Sequence, residues 1–385
     1  MLPIMPSSSR IVAGAMSGTS ADGVDIALVE ITGHGLGMTA KLLHHHARPY
    51  ETALRQRIFA VRGEGKVALT ELAGMGREIS LSYAMAVKDA LREASLKACD
   101  IAAIAAHGQT LFHDPPNTIQ WLDPALVAAE TECAVVNDFR RADCAAGGQG
   151  APLVPFADYI LFRHATKNRL IVNIGGIANA TILEAGCAID RVFAYDTGPG
   201  NCISDFICRQ MEPDGPGYDA GGEIASSGNA VGELAKAFRR DPYFILQLAP
   251  RMPKSTDVPK MLHLFSAALS EMKTPPSYRD TLATACLVSA TEIMWAARHF
   301  GQNVECELIV SGGGTKNRLL MYFLQQMFGI PRVPISDDFG IPSESKEALA
   351  FALLGAATLD GLPSNVPSAT GAKRAVMLGS ITPKP

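Results

Sequence analysis

The chain has 385 residues, of which 48% are hydrophobic and 19% charged, and its formal net charge is −4. A chain of this length buries roughly three quarters of the surface that it exposes when unfolded, and at about 150 residues per domain it predicts two domains. The small acidic excess argues against nucleic-acid binding, which depends on Lys and Arg. The longest stretches without a charged residue, 144–157 and 170–183, are too short to span a membrane.

The N-terminus and the cysteines predict a cytoplasmic protein. Residues 1–10 have neither a charged start nor a continuous apolar segment, so we do not expect a signal peptide. The eight cysteines are scattered and form no C-x-x-C pair, which is not the pattern of a disulfide scaffold or a zinc site. We expect them to be small apolar core residues in a reducing compartment.

Two β-hairpins around glycine-rich turns are predicted, one in each half of the chain. Their turns are residues 17–23 and Gly175-Gly176. The β-branched runs on either side are 11–16 and 24–29 in the first hairpin and 170–174 and 177–183 in the second. Two hairpins of one kind suggest a duplicated α/β unit.

Four helices are predicted from apolar residues at helical spacing, over 69–97, 280–300, 316–328 and 344–359. Asp280 is a candidate N-cap for the second of them. Gly329, with Pro331 just beyond, is a stop signal for the third. The residues after Gly361 are rich in Pro, Gly and Ser, so we expect them to be loosely ordered.

The turn of the first hairpin has the composition of a phosphate site. Ser17-Gly18-Thr19-Ser20 places three hydroxyls around a glycine, and Asp22 and Asp25 follow. Glycine lets a backbone approach a phosphate, hydroxyls donate hydrogen bonds, and a carboxylate suits Mg²⁺, usually through water. An ordinary hairpin turn uses the same residue types, so both interpretations stay open at this point. No P-loop and no G-x-S-x-G motif occurs.

Two later segments carry further candidates. Asp196 follows a short apolar run and precedes Thr197-Gly198-Pro199-Gly200, so its carboxylate could be a general base at the end of a strand or a turn-capping residue. Gly312 to Gly314 lie between a strand and an amphipathic helix. They could leave bare backbone for a flat ligand such as adenosine, or form a tight connection without a ligand.

None of the histidines has the spacing of a metal site, and one histidine segment and a pair of arginines are candidates for binding a polar or anionic ligand. His44-His45-His46 is predicted to be a solvated strand or loop. His107-Gly108-Gln109-Thr110 is typical of a strand end that presents hydrogen-bonding side chains, and it lacks zinc-ligand spacing. Arg140-Arg141 is either a surface pair or a bidentate partner for an anion.

Six segments combine in a fixed order along the chain. They are Ser17–Asp25, His107–Thr110, Gly147–Pro155, Asn173–Asn179, Asp196–Asn201 and Ser311–Gly314. In this order and spacing the sequence closely resembles the bacterial anhydro-N-acetylmuramic acid kinase family over about residues 11–359. The resemblance implies a two-lobed, actin-like α/β ATPase fold with duplicated ribonuclease H-like domains around an interlobe cleft. The expected domains are 10–165, 166–360 and a tail, 361–385.

The resemblance also implies an activity. The family opens the anhydro ring of 1,6-anhydro-N-acetylmuramic acid with water and phosphorylates O6, using ATP and Mg²⁺ in peptidoglycan recycling, and a homodimer is expected. Asp196 would be the catalytic base, Glu347 would support the reacting end, and Asp22 would lie near the metal. The residues implied for ATP are Gly18, Thr19, Ser20, Ala21, Asp22, Gly23, Val24, Asp25, Gly175, Gly176, Gly312, Gly313, Gly314 and Asn317. Those implied for the sugar are His107, Gln109, Thr110 and one of Arg140 and Arg141.

Two departures from the family pattern bear on detail. Ala21 stands where many members have leucine, which implies a packing change beside the phosphate turn. After Pro253–Thr256, the segment 257–259 departs from the usual Gly-Arg continuation. Two alternatives are kept: a related kinase for another hexosamine, and an actin-type protein driven by nucleotide, which would need no sugar site.

Overall fold

The computed structural model describes residues 9–241, 244, 258–300 and 306–385. The chain divides into two compact units, Met1–Leu161 with Ser345–Pro385 and Phe162–Glu344. The expected boundary after residue 165 is close to the observed one. The expectation that the second domain extends to residue 360 is not met, because the chain returns to the first unit at Ser345.

The described residues form eleven strands and thirteen α-helices. The strands are β1 (Ser9–Ser17), β2 (Gly23–Thr32), β3 (Thr39–Pro49), β4 (Ile101–Asp114), β5 (Asn117–Trp121), β6 (Val135–Asn137), β7 (Asn168–Ile174), β8 (Ile177–Leu183), β9 (Phe193–Pro199), β10 (Cys306–Ser311) and β11 (Ser380–Thr382). The helices are α1 (Thr52–Glu64), α2 (Leu69–Glu93), α3 (Pro124–Thr131), α4 (Arg141–Ala145), α5 (Pro155–Phe162), α6 (Cys202–Met211), α7 (Glu223–Ser226), α8 (Gly232–Arg239), α9 (Val258–Ser270), α10 (Tyr278–Phe300), α11 (Arg318–Phe328), α12 (Lys346–Leu359) and α13 (Pro367–Thr370).

The first unit is built on a mixed sheet with the strand order β11-β6-β4-β1-β2-β3, and β5 pairs with β4. β1, β2 and β3 form an antiparallel meander, whereas β4 runs parallel to β1 and β6 parallel to β4. Apolar residues of α2 spaced along one face, such as Ile79, Tyr83 and Val87, are fully buried in the same core as Ile26 of β2. The sheet and α2 therefore share the main core of this unit.

Helix α12 packs closely on β1 and β4 because small residues meet there. A Cβ added at Gly14 would lie 1.8 Å from the Ala348 carbonyl oxygen, and one added at Gly355 would lie 2.4 Å from the Ala105 Cβ. Only glycine fits at such an approach of helix to strand. This contact explains why residues after Ser345 belong to the first unit.

The second unit repeats the same topology. Its sheet has the order β10-β7-β8-β9, in which β7, β8 and β9 are antiparallel neighbours and β10 is parallel to β7. Val310 of β10 also bridges Ile335 in parallel. This is the order and direction of β4-β1-β2-β3 in the first unit. The predicted duplicated α/β fold and both predicted hairpins are confirmed.

The predicted helices are observed with shifted ends. α2 ends at Glu93, before the predicted residue 97, and α10 begins at Tyr278. Asp280 is therefore not the N-cap. Ser277, directly before the helix, caps it, because its hydroxyl accepts a hydrogen bond from the Asp280 backbone nitrogen at 3.2 Å. α11 ends at Phe328, and Gly329, with a φ of 62°, is its C-cap, so the predicted stop signal is confirmed.

The C-terminal segment is ordered, contrary to the expectation for residues after Gly361. β11 pairs antiparallel with β6, and Val366, Ala369 and Leu378 are buried. The three consecutive histidines lie in β3, so the predicted strand is confirmed, but their side chains are half-buried and lie against carboxylates rather than being solvated. Among the described residues, no helix is long and apolar enough to cross a membrane.

The cysteines are only partly as expected. All eight are free. The buried ones are Cys133, Cys144, Cys202, Cys208 and Cys286, whereas Cys187 and Cys306 are half-buried. Cys99 is exposed, so the prediction of a core position is wrong for that residue.

Candidate functional site

The turn of the first hairpin exposes backbone at Gly18. A Cβ added there would come no nearer than 3.8 Å to another atom, the Ser20 hydroxyl oxygen, so a ligand can approach this backbone. Gly23 differs, because its Cβ would lie 2.2 Å from the Arg48 carbonyl oxygen, and packing alone requires glycine there. Ala21 is fully buried, with a φ of 49°, and Val24 is a core residue. The part of the predicted set that is accessible to a ligand is therefore Gly18 to Ser20.

Gln109 braces this turn from β4. The Ser17 hydroxyl donates to Gln109 Oε1 at 2.7 Å, and Gln109 Nε2 donates to the Gly18 carbonyl at 3.1 Å. The Gln109 side chain is fully buried. Its amide therefore fixes the turn, which differs from the expected contact with a sugar.

His107 links the same turn to Arg140. His107 Nδ1 lies 3.2 Å from the Ser17 carbonyl oxygen, and Nε2 lies 3.1 and 2.9 Å from Nε and Nη2 of Arg140. A guanidinium can only donate, so Nε2 is the acceptor and Nδ1 carries the proton. Burial, reinforced by the charge of Arg140, lowers the pKa of His107 to about 3. The ring is therefore neutral, and both of its nitrogens are occupied.

The structure separates the two candidate arginines. Arg140 Nη1 donates to the Gly150 carbonyl at 2.7 Å, which places its guanidinium between Gly150 and His107. Burial lowers the pKa of Arg140 to about 10, and the carboxylate of Glu347 opposes this shift. Arg141 is exposed and pairs with Asp138 at 2.6 Å. Arg140 is thus the cation of this cluster, and the Glu347 carboxylate is the negative group that favours its charge.

Two arginines of α1, which the sequence analysis missed, reach the first turn. Arg55 Nη2 lies 2.7 Å from Asp22 Oδ1, and Arg62 donates to the Thr19 carbonyl. The available signal was the run of three arginines, Arg55, Arg57 and Arg62, in one short segment. These residues surround the proposed phosphate turn with positive charge.

Asp22 fits the expected role near a magnesium ion. Mg²⁺ is usually bound through one or two carboxylates, substrate phosphates and waters. The Asp22 side chain is 69% exposed beside Gly18 to Ser20, so it can supply one such carboxylate after release from Arg55. Asp25 instead lies 3.4 Å from His45 Nε2. Among the described residues, no group of three or more His, Cys, Asp or Glu could hold a metal by itself.

The turn of the second hairpin is held by backbone. The nitrogens of Asn201 and Cys202, at the start of α6, donate to the carbonyls of Gly175 and Gly176 at 2.8 and 3.0 Å. A Cβ added at Gly175 would come no nearer than 3.6 Å to another atom, and one at Gly176 no nearer than 3.9 Å. Both glycines therefore offer open backbone, as expected for a second phosphate turn.

Asp196 lies within β9, and the expectation that it ends a strand is wrong. It pairs with Asn179, while Gly198 pairs with Ala178, so Thr197 is an extra residue that forms a β-bulge. The Thr197 hydroxyl donates to the Ala178 carbonyl at 3.1 Å. Bulges of this kind redirect a neighbouring side chain and are frequent next to active sites.

Helix α10 contacts the end of β9 and the turn that follows it, at Gly198 and Gly200. The Ser289 hydroxyl donates to the Gly200 carbonyl at 2.8 Å, and a Cβ added at Gly198 would lie 3.3 Å from Glu292 Cγ. Burial raises the pKa of Glu292 to about 7. The Arg239 guanidinium, whose Nε lies 2.8 Å from Glu292 Oε1, opposes this shift. Ser289 and Glu292 could not be predicted from the sequence, since nothing near them in the chain marks a site.

Most of the predicted adenosine segment has a packing role. A Cβ at Gly312 would lie 2.6 Å from Asn173 Oδ1, and one at Gly314 would lie 2.3 Å from Ile174 Cγ2. Asn317 is the N-cap of α11, and its Nδ2 lies 3.4 Å from the Cys286 sulfur. Only Gly313, whose Cβ would be 3.9 Å from its nearest neighbour, is open to a ligand.

The remaining predicted residues are placed as follows. Thr110 is buried, and its hydroxyl accepts a hydrogen bond from Gln120 Nε2 at 3.4 Å. Glu344 pairs with Lys316 and belongs to the second unit, whereas Glu347 belongs to the first. Of the departure from the family pattern at 257–259, Asp257 lies outside the described residues, whereas Val258 and Pro259 are the first two residues of α9.

Comparison with known proteins assigns the family. The family model described as anhydro-N-acetylmuramic acid kinase matches residues 10–384. The chain belongs to the anhydro-N-acetylmuramic acid kinase family. A Bacillus cereus anhydro-N-acetylmuramic acid kinase is 38% identical over 385 residues, covering 96% of this chain and 98% of the relative. A Bacillus anthracis anhydro-N-acetylmuramic acid kinase is 37% identical with the same coverage.

The family assignment confirms the resemblance found in the six motifs. Among solved structures, the activator of the 2-hydroxyisocaproyl-CoA dehydratase from Clostridium difficile aligns over 90% of this chain and 94% of that chain, with a TM-score of 0.45 and 12% identity. A similarity this remote has no bearing on function. For an anhydro-N-acetylmuramic acid kinase, the first unit thus carries the turn Gly18–Ser20 with Arg140 and Glu347, and the second carries Gly175-Gly176 with Asp196.

Proposed function

We propose that the protein is an ATP-dependent kinase that opens 1,6-anhydro-N-acetylmuramic acid with water and phosphorylates O6. The products are N-acetylmuramic acid 6-phosphate and ADP, and the reaction serves peptidoglycan recycling. The observation that carries this proposal is membership of the anhydro-N-acetylmuramic acid kinase family over residues 10–384. A cytoplasmic location and a homodimer remain predictions.

Asp196 is proposed as the general base. Its carboxylate takes a proton from water as the water oxygen bonds to the anomeric carbon and the bond from that carbon to O6 breaks. The released O6 bonds to the γ-phosphorus as the bond from that phosphorus to ADP breaks. A positioned base contributes about 10²- to 10⁴-fold in rate, and the bulge at Thr197 supports this role because bulges redirect neighbouring side chains and are frequent next to active sites.

The open backbone of the two hairpin turns is proposed to hold the ATP phosphates. Gly18 to Ser20 in one unit and Gly175-Gly176 in the other have room for a phosphate, and phosphoryl transfer depends mostly on positioning and charge neutralisation. Asp22 would hold Mg²⁺, which neutralises phosphate charge when it is bound. Arg55 and Arg62 add positive charge at the first turn.

Arg140 and Glu347 are proposed to contact the sugar, and Gly313 the adenosine. Three hydrogen bonds occupy three of the five N–H groups of Arg140, which leaves one on Nη1 and one on Nη2 for a ligand. His107 and Gln109 are proposed to act as supports, since both are buried and their polar atoms are used within the protein.

The proposal is tested with the Asp196→Asn variant. We expect ATP binding to persist and turnover of the anhydro sugar to fall by at least about 10²-fold. Asp190→Asn is the matched control, because Asp190 is an exposed residue of the same unit. In ¹⁸O-labelled water, the label should enter the product at the anomeric carbon and not in the phosphate.

Three results would contradict the proposal. Near-normal ring opening by Asp196→Asn would remove the base assignment. Phosphorylation of N-acetylglucosamine but not of the anhydro sugar would indicate a kinase for another hexosamine. ATP turnover that is independent of any sugar would favour the actin-type alternative.

A further inference from the structure

A buried carboxylate that the proposed function does not use lies beside the sugar cluster. Asp143 in α4 is fully buried and accepts three hydrogen bonds. The Gly150 nitrogen donates to its Oδ2 at 2.8 Å, while Asn365 Nδ2 and the Thr370 hydroxyl each donate to its Oδ1 at 2.7 Å. Asp143 therefore joins two segments that are far apart in the chain, the 147–150 turn and the C-terminal segment.

The backbone of the C-terminal segment lies directly on the 147–150 turn. The Gln149 nitrogen donates to the Thr370 carbonyl at 2.8 Å, and the Lys373 nitrogen donates to the Ala146 carbonyl at 2.9 Å. A Cβ added at Gly148 would lie 2.2 Å from Asp143 Oδ2, so the turn closes around this carboxylate only with glycine. The fit leaves the turn little freedom to move relative to Asp143.

Gly150 transmits this constraint to Arg140. Its nitrogen donates to Asp143, and its carbonyl accepts from Arg140 Nη1 at 2.7 Å. On the other side, His107 Nε2 accepts from Nε and Nη2 of the same guanidinium. The plane of the guanidinium is thus set from two directions, and the two remaining N–H groups point in a fixed direction.

The charge of Asp143 also suits this position. Burial disfavours the guanidinium cation of Arg140, and the carboxylates of Glu347 and Asp143 both act in its favour. The three hydrogen bonds that Asp143 accepts come from the Gly150 nitrogen, the Asn365 amide and the Thr370 hydroxyl, which are neutral donors, and not from Arg140. If one donor to Asp143 is removed, we therefore expect the orientation of the Arg140 guanidinium to change while its positive charge is retained.

We infer that Asp143 is a positioning residue for the sugar site, that it acts on Arg140 through Gly150, and that Asn365 and Thr370 of the C-terminal segment hold it in place. This inference rests on the proposed function, which assigns Arg140 to the sugar. It also gives the C-terminal segment a role in the reaction, which the sequence left open.

The first test is a pair of graded substitutions. Asp143→Asn preserves size but places an amide donor opposite donors, and Thr370→Val removes one donor with little change of shape. Since one hydrogen bond contributes about 0.5–1.5 kcal/mol, the KM for the anhydro sugar should rise about 10-fold in Asp143→Asn and about threefold in Thr370→Val. The KM for ATP should change less than about twofold.

The second test is a rescue. In Asp143→Asn combined with Asn365→Asp, the donor and the acceptor exchange places, and the amide oxygen introduced at position 143 can still accept from the Gly150 nitrogen. The double variant should recover most of the lost sugar affinity, measured both by KM and by calorimetric binding without ATP. A merely structural role would not produce recovery that is confined to the sugar.

Asp360→Asn is the matched control. Asp360 is a largely buried carboxylate of the same unit, 2.6 Å from Arg10, at the end of α12 and not in this network. We expect it to lower the melting temperature without changing the KM for the sugar. The comparison separates loss of stability from loss of positioning.

The outcomes are distinguishable. Turnover of the anhydro sugar by the wild type tests the proposed function, and a wild type without such turnover overturns it. An active wild type whose folded Thr370→Val and Asp143→Asn variants keep the sugar KM within about twofold overturns the inference alone. An equal rise in the KM for ATP would also overturn it. If Asp143→Asn does not fold, Thr370→Val alone decides.

Discussion

The two hairpin turns occupy the same place in the four-strand order that both sheets share, but they are supported differently. Buried side chains from β4, Gln109 and His107, hold the first turn by hydrogen bonds. Backbone nitrogens at the start of α6 and the close approach of Gly200 hold the second. A side-chain brace can connect a turn to further residues, as His107 connects the first turn to Arg140. A backbone brace fixes only its own turn, and it depends on glycine.

The largest effect is expected at Gly200. A Cβ added there would lie 2.3 Å from the Gly175 carbonyl oxygen, so Gly200→Ala must displace the second turn. We expect the free energy of unfolding, measured by denaturant titration, to fall by about 3 kcal/mol or more. Gly176→Ala is the control, since the nearest neighbour of its Cβ would be 3.9 Å away. It should retain stability and weaken ATP binding, and equal stability of the two variants would contradict the backbone brace.

The next effect is expected at Glu292 of α10, a buried side chain that lies beside Gly198 of β9. Because burial raises its pKa to about 7, the folded protein binds a proton that the unfolded chain releases between about pH 4.5 and 7. Stability from this group is complete below pH 4.5 and decreases as the pH rises through 7, by up to about 3 kcal/mol. Glu292→Gln should flatten this slope in denaturant titrations from about pH 4 to 8. An unchanged slope would show that Glu292 is ionised in the folded state.

Gln109 tests the side-chain brace of the first turn. Gln109→Leu leaves the buried Ser17 hydroxyl and the Gly18 carbonyl without this partner, which should cost about 1–3 kcal/mol of stability. The KM for ATP should rise because the turn loses its fixed shape. Gln56→Leu, at an exposed position of α1, is the control and should change neither quantity. A normal KM for ATP in Gln109→Leu would mean that the turn does not need the brace.

The smallest effect is expected at Asn317. Asn317 is the N-cap of α11, so Asn317→Ala should reduce the free energy of unfolding by about 1 kcal/mol. Asn317→Asp preserves the cap and should reduce it by less. Neither variant should change the KM for ATP if the residue only caps the helix. A rise in that KM in both variants would instead restore the adenosine contact that the resemblance implied.

The sequence was sufficient for the duplicated fold because both hairpins are local. β-branched runs around glycines determine their strands within about 20 residues of chain. α1 was missed because its apolar face is weak, and the return of the chain at Ser345 could not be foreseen, since the small residues of α12 do not reveal which sheet they cover.

The prediction of the site was less accurate for residues whose role depends on packing in the folded protein. The glycines of the two turns were found, but Gly23, Gly312 and Gly314 turned out to be required by neighbouring atoms. His107 and Gln109 were recognised as important but were given direct contacts, since burial cannot be inferred from a motif. Asp143 was missed entirely, because Asn365, one of its partners, is 222 positions away.

The return of the chain to the first unit has a consequence for biosynthesis. Phe162–Glu344 is contiguous, so the second unit can fold as soon as it leaves the ribosome. β1 and β4 are synthesised early but stay uncovered until α12 has been made. The close contacts at Gly14 and Gly355 can form only when nearly all of the chain has been translated. Nascent chains released before Ser345 would therefore expose the apolar face of this sheet, and chaperones should bind them preferentially.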